Sequence, residues 1–305
     1  GLAPDFRGAV AYLGGQPAAP AGPPRAPVHA ASRSAMFHSM FSAGPPRAPV
    51  HAARPQAWKS AAWQSEARRE MEQAAALLVS PAGDPAAEYL LRRGLRPETW
   101  EAWGLGYTLA AWDNRLKAAR PAILIPWQYR EVTALKYRFL TVPAGGLRYT
   151  SKAGSEHIAF GLNLAGGHYA TLWLVEGELN AVSLWQALRE AHMVNFDVLS
   201  FGGESKATRL DPALQRWAGR YQQVIVWADE PAKAAAAMAA IPGAFGLRSP
   251  VVDGRKLDAN ELLLLGGLAD FARAAWARFD QDPAHVARIR AELEGAGWGG
   301  LAPSL

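Results

Sequence analysis

Three acidic clusters mark the second half of this 305-residue chain: Glu176/Glu178, Asp229/Glu230 and Asp258/Glu261. The first two each follow a short apolar run, and the third stands at the start of a helical pattern. Clustered carboxylates repel one another and desolvate poorly unless a cation compensates them. The chain has no cysteine, and its histidines lack ligand spacing, so the donors available are oxygens. Oxygen donors suit a hard ion such as Mg²⁺ or Mn²⁺. Such an ion aligns a phosphate and stabilises in-line phosphoryl transfer. One acid after a strand is an ordinary solvated turn. Three on one sheet edge, beside a basic neighbour, point to a metal-dependent nucleotidyl site.

That basic neighbour runs from Arg92 to Lys152, where Arg and Lys clearly outnumber Asp and Glu. Lys136 and Arg138 lie two apart in a strand pattern, which puts them on one face. Arg148, Tyr149, Ser151 and Lys152 follow in a polar, Gly-flanked loop, and Tyr107, Trp127, Tyr129 and Tyr137 are interleaved. This composition suits a groove that tracks a phosphate backbone and stacks bases. A solvated basic surface over core aromatics is the plainer reading of the same residues. The net charge of +5 and pI of about 9.5 agree with an acidic partner.

Trp58 to Ser80 has a long helical pattern. Asp84-Pro85 supplies an N-cap and a first-turn proline for a helix carrying Tyr89 to Leu91, and Arg96-Pro97 opens a short helix through Trp103. Ala122–Pro126 and Val132–Leu140 form a strand hairpin turning at Tyr129–Glu131. After Gly161 strands alternate with helices. Strands are expected at 171–175, 196–200, 223–227 and 246–252, with helices to about Ala191, around Leu214 to Tyr221, over 232–240 and through Leu265, and a last one over 268–295. This alternation predicts an α/β fold with a parallel sheet and right-handed crossovers. Ligands then bind at the carboxyl edge, where Leu172–Val175 runs into Glu176-Gly177-Glu178.

Before residue 55 the chain changes character. Residues 1–16 hold a single short amphipathic pattern, and 17–54 form a Pro/Ala-rich stretch. In it A-G-P-P-R-A-P-V-H-A-A occurs twice, at 21–31 and 43–53. With one Val per unit and many prolines this reads as a flexible, disordered linker rather than a stacked repeat, and His29 and His51 as incidental. The domain organisation expected is 1–16, linker 17–54, a basic α+β subdomain at 55–155, the parallel-sheet domain at 156–280 and a helical tail at 281–305. The absence of cysteine excludes disulfides and thiolate metal sites. No apolar run approaches the ~20 residues of a membrane helix, so a cytoplasmic chain without a membrane partner is expected. A Walker-type phosphate loop, a dinucleotide fingerprint and a G-x-S-x-G elbow are all missing from the sequence.

These residues resemble the TOPRIM-containing primases of bacteria, phages and mobile elements, over most of 55–280. Y-L-L-R-R-G-L-R-P-E-T-W-E-A-W-G-L-G-Y (89–107) is similar to the helical segment before the family's basic subdomain. I-L-I-P-W with A-L-K-Y-R-F-L is similar to its hairpin, and R-Y-T-S-K (148–152) to its template-side loop. L-V-E-G-E-L-N-A-V-S-L (174–184) resembles the Glu motif of TOPRIM, with S-F-G-G (200–203) and D-A-N-E-L-L (258–263) as later landmarks. D-F-R-G-A-V-A-Y-L-G-G (5–15) is similar to the last helix of a preceding zinc ribbon, whose cysteines are not in this chain; no zinc is expected here.

The resemblance implies a TOPRIM-like parallel-sheet domain preceded by a smaller basic subdomain, and a nucleotidyltransferase that makes short RNA primers on single-stranded DNA from nucleoside triphosphates. Glu176 is then the general acid/base or metal-proximal carboxylate, with Asp229 and Asp258 as metal ligands and Glu178 and Glu230 beside them around Mg²⁺ or Mn²⁺. Lys136, Arg138, Arg148, Tyr149 and Lys152 hold template or nucleotide phosphates, and a replicative helicase is an implied partner. Two departures stand out. The family's D-x-D followed by A-G reads W-A-D-E-P-A-K here, and Asn180 stands where Asp is frequent. Both remove negative charge from the ion site, which is expected to weaken metal affinity. The alternative is a catalytically weakened TOPRIM module that binds single-stranded DNA in a phage or mobile-element replication complex; a TOPRIM nuclease is a third, weaker option.

Overall fold

Strand β5 (Thr171–Val175) is buried along its whole length. Trp173 and Val175 face one core cluster while Leu172 and Leu174 face another. A continuous apolar run is therefore required, as for any central parallel strand covered on both faces. The computed structural model describes residues 56–202, 210–252 and 254–277. The expectations for 1–54 and 281–305 lie outside the described residues, as do Gly203 of the S-F-G-G motif and the last part of the 268–295 helix.

The described residues open with a 3₁₀ turn at Ala57–Lys59 and then helix α1 (Ala61–Leu78), whose Ser60 N-cap accepts from the Trp63 amide at 3.2 Å. Helices α2 (Asp84–Arg92) and α3 (Pro97–Ala102) follow. Asp84 is the first residue of α2 and Gly83 its cap, one residue earlier than expected, because a 3₁₀ turn at Pro81–Gly83 leads straight in. An antiparallel sheet then forms in simple order from β1 (Gly106–Asp113), β2 (Ala118–Tyr129), β3 (Glu131–Phe139) and β4 (Tyr149–Ser151). The β2–β3 hairpin turns at Arg130, as expected, with a positive φ of 60°. Strands β1 and β4 were not expected. β1 is rich in Ala and carries an irregularity between Thr108 and Ala111, which blurs the two-residue period. β4 is three residues long and sits in what reads as a polar loop.

The second sheet has order β6-β5-β7-β8 with every pairing parallel: β6 (Phe196–Ser200), β7 (Gln223–Trp227) and β8 (Phe245–Leu247) join β5. Helices α4 (Glu178–Glu190), α5 (Pro212–Ala218), α6 (Pro231–Ala240), α7 (Ala259–Leu264) and α8 (Leu268–Ala277) complete the alternation. The fourth strand is shorter than expected: Val251–Val252 (β9) leaves the sheet to pair with Arg255–Lys256 (β10). Serine and proline at 249–250 interrupt the run, and proline cannot donate to a ladder.

The two sheets share one core. Trp103 stacks on Phe160 with centroids 4.7 Å apart, and Trp127 packs on Phe160 at 5.9 Å. Ile123, Ile125 and Trp127 of β2 belong to the same cluster as Trp173, Val175 and Ile225 of the parallel sheet. The Gln186 amide fastens this joint: Nε2 donates to the Gly94 carbonyl at 2.9 Å, while Oε1 accepts from the Arg96 amide and the Thr99 hydroxyl at 2.9 Å. Among the described residues no helix is long and apolar enough to cross a membrane.

The β1–β2 turn is held by a buried carboxylate. Asp113 accepts from the Arg115, Leu116 and Leu147 amides and pairs with Arg120. Burial pushes its carboxyl up, but the three amides and Arg120 outweigh that and hold it below the usual carboxylate range. A depressed pKa adds stability above the unfolded value of about 3.9, lost as pH falls through the folded value. Wild-type protein should therefore lose stability on acidification below about pH 4. Asp113→Asn should be less stable at pH 7 and show a flatter profile, which urea unfolding at stepped pH checks.

Candidate active-site cleft

The strand-to-helix turn after β5 works because Gly177 adopts φ 81°, a left-handed region open to glycine. Glu176 therefore ends the strand, its amide donating to the Trp227 carbonyl at 3.0 Å, and Glu178 opens α4. At the end of the neighbouring strand the Asp229 amide donates to Glu176 Oε2 at 3.2 Å. Ser249 steadies Asp229 in turn: its hydroxyl accepts from Trp227 Nε1 at 3.0 Å and donates to Asp229 Oδ1 at 3.3 Å. Asp258 is the N-cap of α7 in a reciprocal box with Glu261, its side chain accepting from the Glu261 amide at 2.8 Å.

Glu176, Asp229 and Asp258 line a single cleft of about 330 Å³, and Lys136, Arg138, Arg148 and Tyr149 line its other side. The alignment of Lys136 and Arg138 along β3 puts both there, as their two-residue spacing requires. Arg138 is buried: its Nε donates to the Tyr89 hydroxyl and its Nη1 to the Tyr149 hydroxyl at 2.7 Å. Burial pushes the Tyr149 hydroxyl up despite Arg138, so it stays protonated at neutral pH. The Tyr149 ring also lies 4.6 Å from Lys136 Nζ and 5.0 Å from the Arg138 guanidinium.

Other expected site residues are placed differently. Glu178 does line the cleft, but it is 1% exposed, and its carboxylate accepts from Lys136 Nζ at 2.5 Å while the Gly202 carbonyl accepts from the same ammonium at 3.1 Å. An expected ion ligand and an expected phosphate binder thus neutralise each other. Glu230 does not line the cleft; it stands just ahead of α6, and its carboxylate pairs with Lys233 at 2.9 Å. Lys152 does not line it either. Its ammonium bonds Glu66 at 2.9 Å and Glu70 at 3.1 Å on α1, and these partners hold its pKa up against burial. Among the described residues no three carboxylates or histidines form a ready-made metal group. What remains suits a hydrated hard cation: Glu176 and Asp229 adjacent, Asp258 lining the same cleft, and cationic side chains opposite. Mg²⁺ keeps several waters and typically takes one or two carboxylates plus phosphate oxygens, so the donor set fits such an ion without forming a cage.

Three contributors carry a weak sequence signal. Arg93 lines the cleft, and its Nε donates to the Tyr89 hydroxyl at 2.8 Å, so Tyr89 joins Arg93 to Arg138. The R-R-G stop of α2 was the available clue. The third is Gly202, at φ 83°, where an added Cβ would lie 2.3 Å from Trp127 Cη2. Gly202→Ala combines a left-handed backbone with overpacking against a buried ring and should cost about 2 kcal/mol. Thermal melting checks it, and an unchanged Tm would contradict the close approach.

No family model matches the sequence, and no curated protein is found as a relative. Solved structures do match. The RNA polymerase domain of Mycobacterium tuberculosis primase DnaG is 17% identical, covers 76% of this chain and 97% of its own, and superposes with a TM-score of 0.51. A DnaG primase catalytic domain bound to ssDNA is 18% identical over 78% of this chain and 89% of its own, with a TM-score of 0.50. The mixed architecture, with its antiparallel sheet ahead of a parallel β6-β5-β7-β8 sheet, is that of a primase catalytic core.

Proposed function

We propose that the chain is a primase-type nucleotidyltransferase that makes short RNA primers on single-stranded DNA from nucleoside triphosphates. The observation that carries this reading is one cleft with Glu176, Asp229 and Asp258 on one side and Arg93, Arg138 and Arg148 on the other, within a primase catalytic-core fold. Single-stranded DNA is bound by one of the two similar catalytic domains, which supports the same polymer as template here.

Mg²⁺ or Mn²⁺ would be held by Glu176, Asp229 and Asp258, and when bound supplies charge stabilisation for phosphoryl transfer. The remaining work falls to the chain itself. Arg93, Arg138 and Arg148 neutralise phosphate oxygens, with Arg138 held by two tyrosine hydroxyls so that little order is lost on binding. Glu176, oriented by the Asp229 amide, accepts the proton of the attacking hydroxyl. Residues 55–155 serve as the basic half and 156–280 as the carboxylate half. The setting proposed is the cytoplasm, with a replicative helicase delivering template. Incubation with single-stranded DNA templates, labelled nucleoside triphosphates and either Mg²⁺ or Mn²⁺ should yield short labelled RNA. DNA binding that weakens with salt, but with no product in either metal, would overturn this reading in favour of a binding-only module. The placement of Glu230 away from the cleft is what keeps that second reading in play.

A further inference from the structure

Asn260 is 3% exposed, and every polar atom of its side chain is used. Its Oδ1 accepts from Arg93 Nη1 at 2.8 Å, and its Nδ2 donates to the Arg93 carbonyl at 2.8 Å and to the Ser183 hydroxyl at 2.9 Å. The Ser183 hydroxyl donates onward to the Leu179 carbonyl at 2.8 Å, so it can only accept from Asn260. A flipped amide would set NH₂ against the guanidinium, so these partners leave one orientation. The Asn260 backbone amide donates to Asn180 Oδ1 at 3.4 Å, and Asn180 Nδ2 donates to the Glu176 carbonyl at 3.2 Å. A continuous, uncharged relay thus runs Arg93–Asn260–Asn180–Glu176, from the cationic wall of the cleft to its acidic edge.

We propose that Asn260 is a positioning residue: it holds the Arg93 guanidinium at the cleft as an unneutralised charge and locks it, through Asn180, to the strand end that carries Glu176. The ligand class is a phosphate group, and the inference rests on the primase-type reading only for which phosphate that is. The chemistry requires an amide. A carboxylate at 260 keeps the acceptor for Arg93 Nη1 but neutralises that guanidinium and loses both Nδ2 donations, and an aliphatic group leaves buried partners unpaired. At position 180 the Asn amide supplies one donor and one acceptor, and a carboxylate there would offer acceptors alone.

The test uses the full chain with inorganic tripolyphosphate as the probe, followed by calorimetric titration. Asn260→Asp should bind it about tenfold more weakly than wild type, as expected for losing one charge-assisted hydrogen bond. Adding Arg93→Ala to Asn260→Asp should produce little further loss, because both changes remove the same interaction. Wild-type affinity in Asn260→Asp, or losses that add in full, would overturn the proposal. If Asn260→Asp does not fold, Arg93→Lys decides: a positioned guanidinium predicts a tenfold loss although the charge is kept, whereas simple charge predicts none. Should wild type bind no tripolyphosphate, the primase-type reading fails, and the positioning role is judged by NMR. Separately resolved Arg93 Nη resonances in wild type that average in Asn260→Ala support it; averaged resonances in wild type reject it.

Discussion

Glu176→Gln should reduce primer synthesis by roughly 10²-fold or more, the range for removing a positioned acid–base group, while leaving fold and single-stranded DNA binding intact. Glutamine keeps the shape of the side chain and an oxygen to accept from the Asp229 amide, so the β5–β7 edge stays assembled. What is lost is the charge and the basicity. Because the cationic wall is untouched, DNA affinity should hold at wild-type level or rise slightly as a repelling carboxylate disappears. A parallel primer-extension and DNA-binding titration reads both numbers. Equal activity in the variant would remove Glu176 from the chemistry.

Lys136→Met is expected to destabilise the protein by about 3 kcal/mol or more, since it strands the 1%-exposed Glu178 carboxylate without its ammonium partner. The double variant Lys136→Met/Glu178→Met should recover most of that loss, because both desolvated charges are gone and two flexible apolar side chains fill the space. Chemical denaturation of the three proteins gives the comparison. If the single variant matched wild type, the pair would be a solvated contact rather than a buried one. The result also bears on function: the Lys136–Glu178 pair sits between the hairpin and the turn that carries Glu176, and it fastens one wall of the cleft to the other.

The parallel half of the fold was legible in the sequence because its strands are buried on both faces. Thr171–Val175, Phe196–Ser200 and Gln223–Trp227 stand as short, mostly apolar runs followed within two residues by Glu176, Gly202 and Asp229, and each occupies the span the sequence suggests. β1 was hidden because alanine carries little strand signal and an irregularity breaks its period; β4, because three polar residues pair only through their neighbour. At the site, residue type alone could not show which partner each charged side chain takes. Glu176 and Asp229 meet at the sheet edge, while Glu178, Glu230 and Lys152 find partners that lie 42, 3 and 86 residues away along the chain. Asn180 makes the same point in reverse. It carries no charge to the site, yet it is a neutral connector between Glu176 and Asn260, and an aspartate could make only the accepting one of its two bonds.

If the proposed reading holds, the acidic edge and the basic hairpin serve one nucleotide in one cleft. Crystals of the chain grown with Mn²⁺ and a nucleoside triphosphate, measured at the manganese absorption edge, test it directly. An anomalous peak is expected against Glu176 and Asp229, with the triphosphate between that peak and Arg93, Arg138 and Arg148. Ordered nucleotide elsewhere on the molecule, or manganese bound away from these carboxylates, would contradict it.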